Sequence, residues 1–221
     1  IQGLPGANGV DGVDGATGPD GPAGPQGAAG ADGAPGAQGP AGVVSFGVGN
    51  TAGGSSALAS NNDGIRNSAF GVNALAANTA GGNNTAIGKD ALMVNTTTNN
   101  HTAVGFRALA SNASGSNNTA VGVSTLSTND SGSENVALGN AALEQNLSGG
   151  ANTGVGDRSL RGNTTGIRNT AVGQRTLTTI GSGSYNIAIG VESGENIVNS
   201  DNNIMIGNTG TLGDSGAIRI G

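Results

Sequence analysis

Glycine recurs at Gly54, Gly71, Gly88, Gly105, Gly122, Gly139, Gly156, Gly173, Gly190 and Gly207, each 17 residues after the last, with nothing inserted or lost. So short and invariant a period makes equivalent residues stack, because each unit can bury its apolar side only against the next copy of itself. The consensus is Asn-Thr-Ala-Val-Gly-x-x-Ala-Leu-x-x-Asn-x-x-Gly-x-Asn, as in Asn118 to Leu126 and Asn84 to Leu92. The unit is too short for two helices. Its apolar cores are four or five residues flanked by Asn, Gly, Ser and Thr, which is strand and turn chemistry. Each unit reads as one coil of an all-β parallel solenoid with two short strands and two turns per coil. About ten coils at a strand spacing of roughly 4.8 Å make a narrow rod on the order of 50 Å long.

A different glycine pattern precedes the coils. Gly3 to Gly42 occupy every third position without a gap, and all six prolines lie in that span. This Gly-X-Y run resembles collagen, in which three polyproline II chains coil about an axis that admits only a hydrogen atom. The resemblance implies trimerisation. The only charges in the run are Asp11, Asp14, Asp20 and Asp32, with no Lys to pair them. The expectation is a triple helix of modest stability that depends on a trimeric neighbour for register. The chain thus divides into a collagen-like stalk over residues 1–42 and a repeat domain over 43–221, with coils over about 50–207 and a terminal segment over 208–221.

The repeat columns define the candidate functional residues. One position before each glycine lie Phe70, Ile87, Val104, Val121, Leu138, Val155, Val172 and Ile189, and one position earlier lie Ala69, Ala86, Ala103, Ala120, Ala137 and their equivalents. Adjacent strand residues point to opposite faces, so one of these columns fills the coil and the other faces outward. A second small-then-large pair follows each glycine, with Ala74, Ala91 and Ala108 leading into Leu75, Leu92 and Leu109, and Thr125 into Leu126. Read as a second strand, it also leaves one apolar face needing cover. A trimer covers both, with one face inside each stack and the other against partner chains. Asn84, Asn118 and Asn135 belong to a column four residues before each glycine, and Asn78, Asn95, Asn112 and Asn129 to another seven residues after. Both read as turn-fixing amide ladders. His101, the only histidine, stands in the first as a substitution.

The Asn-Thr-Ala-Val-Gly kind of repeat, over roughly residues 50–207, resembles the head domains of YadA-type trimeric autotransporter adhesins, and similar repeats occur in phage tail-fibre-like proteins. The resemblance implies a trimeric left-handed parallel β-roll. The segment from Asn203 to Gly221 is similar to the stretch that, in tail-fibre-like proteins, precedes a self-cleaving chaperone domain. The uniform 17-residue spacing is longer than the usual head repeat, and no neck motif is present.

Composition narrows the function. Aromatic residues make up 2% of the chain and charged residues 10%, with no Cys and one His. Ser/His/Asp, Cys/His and zinc constellations within one chain are therefore excluded, and the scattered Asp90, Asp130, Glu134, Glu144 and Asp157 do not pair for acid/base work. No metal, cofactor or catalytic residue is expected. A net charge of −6 with 8 dispersed Lys and Arg disfavours nucleic acid, and exposed charges such as Lys89, Arg107, Arg158, Arg161, Arg175 and Glu192 form no patch along the sequence. No 18-residue apolar run spans a membrane. The expectation is a homotrimeric extracellular fibre at the cell surface, structural or adhesive. It would join end to end into filaments or meet a host-surface glycan or matrix ligand. A viral tail fibre is the alternative. A second alternative is ice binding, from the partial column Thr51, Thr85, Thr102, Thr119, Thr153 and Thr170, which Ser68, Val136, Ile187 and Ile204 interrupt.

Overall fold

One three-residue strand recurs in every period. The computed structural model describes residues 48–221 together with Gly9 and Gly12; the collagen-like stalk and the expected boundary at residue 42 otherwise lie outside the described residues. The chain divides between Ala37 and Gln38 into two units. The strands of the second unit run from β1 (Thr51–Gly53) through β2 (Ser68–Phe70), β3 (Thr85–Ile87), β4 (Thr102–Val104), β5 (Thr119–Val121), β6 (Val136–Leu138), β7 (Thr153–Val155), β8 (Thr170–Val172) and β9 (Ile187–Ile189) to β10 (Ile204–Ile206) and β11 (Ile218–Ile220). All are parallel and pair in sequence order to form one sheet. Among the described residues there is no helix.

The register keeps every column intact. Thr85 lies beside Thr102 and then Thr119, Ala86 beside Ala103 and Ala120, and Ile87 beside Val104 and Val121. The hydrogen bonds between coils continue outside the strands. Gly105 N–H donates to Ile87 O at 2.8 Å, and Leu109 N–H donates to Thr125 O at 3.0 Å, so the turns are held to their neighbours as the strands are. The last coil is shorter: β11 follows β10 after 14 residues and places Arg219 beside Met205. The terminal segment thus adds an eleventh rung.

The expected second strand is absent. The Ala-Leu segment after each glycine is turn, not strand, because two of its residues take left-handed backbone angles, as Arg107 (φ 56°) and Leu109 (φ 51°) do. Left-handed angles break the two-residue alternation, so Ala108 and Leu109 are both fully buried instead of facing opposite ways. Each such Leu costs roughly 1–2 kcal/mol in backbone conformation. Its complete burial contributes about 1.5–3 kcal/mol, which offsets that cost in every coil. Leu75, Leu92, Leu109 and Leu126 are all interior, so the Ala-Leu pair itself leaves no apolar face in need of a partner chain.

The strand wall resolves the other way. Its middle residue points in and its two flanking residues point out, and the inward column of Ala69, Ala86, Ala103, Ala120 and Ala137 is fully buried. The interior is narrow, and leucines from the turn fill it together with these alanines in one core. A methyl group is what remains to be accommodated on the strand side.

From Gly54 to Gly173 the glycine that ends each strand is required by close packing. At Gly122 the backbone takes φ +136°, and a Cβ there would stand 2.3 Å from Gly139 O in the next coil. No L side chain fits such a contact, and few adopt such an angle.

Candidate functional site

Two features of the repeat carry the candidate residues: an outward apolar column and an internal amide ladder. Phe70, Ile87, Val104, Val121, Leu138, Val155, Val172 and Ile189 form the outward column. Phe70, Ile87, Val172 and Ile189 are 37–44% exposed, and the four between them are half-buried. Two residues away on the same outer face runs the Thr column, with Thr85, Thr102 and Thr119 half-buried on successive rungs. Both columns follow from the out-in-out pattern of a three-residue strand. A band of further exposed side chains, Val72, Phe106, Val123 and Val191, lies just past the glycine. The outer strand face is therefore an apolar strip that runs the length of the described coils.

The ladders lie inside the coil. Asn118 is fully buried, and its Oδ1 accepts Asn135 N–H at 2.9 Å while its Nδ2 donates to Gly132 O at 2.8 Å. Asn135 repeats the pattern, with its Oδ1 accepting Asn152 N–H at 3.0 Å and its Nδ2 donating to Gly149 O at 2.9 Å. Asn84 N–H donates to Asn67 Oδ1 at 3.0 Å. The second column stacks amide on amide, Asn129 Nδ2 donating to Asn112 Oδ1 at 2.7 Å and Asn146 Nδ2 to Asn129 Oδ1 at 2.7 Å. These side chains satisfy backbone groups that the narrow interior would otherwise strand, at a cost of about 1–3 kcal/mol for each one left unpaired. In the last coils Ile180 and Ile197 take the place of the second column and are fully buried. The amide ladder there gives way to apolar packing.

His101 occupies a rung of the first ladder. It is buried, its N–H donates to Asn84 Oδ1 at 3.0 Å, and its Nδ1 accepts Asn118 N–H at 3.3 Å. Burial pushes its pKa down from 6.5 to about 4, so the ring is neutral and acts as a hydrogen-bond acceptor in the role of an asparagine oxygen. Among the described residues no group of three or more His, Asp or Glu side chains is placed to hold a metal.

Sequence reasoning misses one juxtaposition. Arg158, Arg161 and Arg175 form no patch along the chain, yet they line one pocket of about 360 Å³. Arg158 and Arg175 are one period apart and so occupy successive coils, and Arg161 lies on the same coil as Arg158. The 17-residue period itself carries the signal that finds Arg158 beside Arg175.

Comparison with known proteins bears on the first part of the chain. Residues 1–47 match a family model described as collagen triple helix repeat (20 copies). No curated protein and no solved structure matches the chain, so the likeness to adhesin heads and tail fibres gains no support from relatives. The chain combines a collagen repeat at its start with an all-parallel β-solenoid of about ten coils, which is the architecture of a structural, fibrous protein.

Proposed function

We propose that this chain is the subunit of a homotrimeric extracellular fibre, with a triple-helical stalk over residues 1–42 carrying a solenoid rod that spaces or attaches surfaces and performs no chemistry. The uninterrupted outward column from Phe70 to Ile189 carries the reading. Three parallel chains delivered by a collagen-type triple helix would each present that column to the others, coil against coil. Burying the exposed part of one aliphatic side chain is worth somewhat under the 1.5–3 kcal/mol of complete burial. Eight rungs on each of three chains would then contribute on the order of 10–20 kcal/mol against the cost of association. Such a rod would hold the stalk in register. A cell surface is the setting that a collagen-like stalk favours, and a virion is the alternative setting.

The test is the solution mass, by light scattering, of the full chain and of the rod freed from its stalk by collagenase. Three chain masses for both are expected. A rod that separates into single chains of solenoid while keeping its fold would overturn the reading.

A second reading has one observation in its favour. The Thr column and the aliphatic column share one outer face in strict register, a regular array of hydroxyl and methyl groups suited to ordering water on an ice surface. The same face cannot serve both purposes at once. Thermal hysteresis in solutions of the full chain would favour ice binding, and its absence would remove that reading.

A further inference from the structure

Three of the eight basic residues of this acidic chain meet in one depression. Its floor has a local cause. Gly162 stands where the coils before and after carry Gln145 and Thr179, so one side chain is missing from an otherwise continuous column. A Cβ at Gly162 would stand 2.3 Å from Thr178 O, so the backbone there approaches its neighbour too closely for any larger residue.

Three arginines and one carboxylate, Glu195, line the walls of this depression. Arg158 and Arg175 occupy the same column on successive coils, where like charges about one strand spacing apart repel. Arg175 is held by two carboxylates, Glu195 at 2.7 Å and Glu192 at 3.1 Å, and Arg161 Nε donates to Glu144 at 2.6 Å. Arg158 is different. Its nearest carboxylate, Asp157, is 4.0 Å away, and no carboxylate among the described residues is within hydrogen-bonding distance of it. Its side chain is about half exposed, and Gln145, Thr178 and Gly162 line the same pocket, with Glu195 turned to Arg175.

We infer that this pocket binds the acidic group of an anionic saccharide, with the Arg158 guanidinium taking the carboxylate or sulfate and Gln145 and Thr178 facing the sugar hydroxyls. A planar guanidinium fork matches either anion in bidentate fashion. The lining holds no aromatic or large aliphatic side chain, so a polar ligand suits it and an apolar one does not. The site gives the adhesive rod a ligand class. It is built from one chain only, and it stands or falls independently of whether three chains associate.

Titration calorimetry on the full chain tests the inference with a hyaluronan tetrasaccharide as the carboxylate probe, a chondroitin 4-sulfate tetrasaccharide as the sulfate probe and a chitin tetrasaccharide as the neutral control. At least one acidic probe is expected to bind, and the stronger of the two identifies the anion. Arg158→Gln should weaken that binding about tenfold or more. Arg107→Gln, in the same column three coils earlier, should leave it unchanged. Failure of both acidic probes to bind, equal binding of the neutral sugar, or equal losses from the two substitutions would each overturn the assignment.

Discussion

The backbone N–H of Asn118 donates to Nδ1 of His101 at 3.3 Å, where Asn135 and Asn152 each donate to an asparagine oxygen of the coil before, at 2.9 Å and 3.0 Å. The histidine keeps the ladder continuous only while its ring is neutral. Protonation would turn Nδ1 into a donor facing the donor of Asn118, in an interior that disfavours the charge.

The stability of the rod should therefore depend on pH through this residue. In the unfolded chain His101 takes its proton near 6.5, and in the folded chain only near 4. Its contribution is fully present above pH 6.5 and is lost as the pH falls from there to about 4, because the unfolded state binds the proton first. The shift corresponds to about 3 kcal/mol per chain. Denaturant unfolding at pH 7.5 and pH 4 should show this loss in the native chain, on top of whatever the carboxylates contribute. His101→Asn should show only the carboxylate part, and an identical acid loss in both proteins would refute the assignment.

Glycine is required at the strand ends inside the stack and is dispensable where the stack no longer presses on it. Gly122→Ala forces a Cβ to within 2.3 Å of Gly139 O at φ +136°, and should cost more than about 3 kcal/mol. Gly207 occupies the same column at φ +64° with no atom within 4 Å of an added Cβ, so Gly207→Ala should cost only about 1–2 kcal/mol. Denaturation midpoints of the two variants give the comparison, and equal midpoints would contradict it.

One rung is open to improvement. Ser159 Oγ is buried and, among the described residues, is the one such side-chain atom without a hydrogen-bond partner. In the same column Thr125 donates to Gly139 O at 2.6 Å and Thr176 to Gly190 O at 2.8 Å. Ser159→Ala removes an unpaired hydroxyl and should stabilise the rod by about 1 kcal/mol. The facing residue is Gly154, where a Cβ would lie 3.0 Å from that oxygen. Gly154→Ala should therefore add a further 0.5–1 kcal/mol, roughly, once the hydroxyl is gone, and little while it remains. Thermal melts of the two single variants and the double variant check both steps.

Much of this architecture is legible in the amino-acid order because a repeat of constant length leaves little freedom. The 17-residue spacing is enough to place Thr85 beside Thr102 and Ile87 beside Val104, and to put His101 in the asparagine column. The Gly-X-Y run likewise identifies the collagen repeat by itself, since only glycine fits the axis of three coiled chains. The tertiary structure decided what periodicity leaves open. Strand alternation says that Ala103 and Val104 face opposite ways, but the direction depends on the opposite wall, where Leu109 takes the interior volume and leaves space for a methyl group. Alternation fails at Ala108 and Leu109 because left-handed turn angles send both side chains inward, and no residue type in that segment announces such angles. The period sets Arg158 beside Arg175, but that Arg161, three residues further along the coil, joins them in one pocket around Gly162 depends on the path of the turn in space, which no spacing in the sequence specifies.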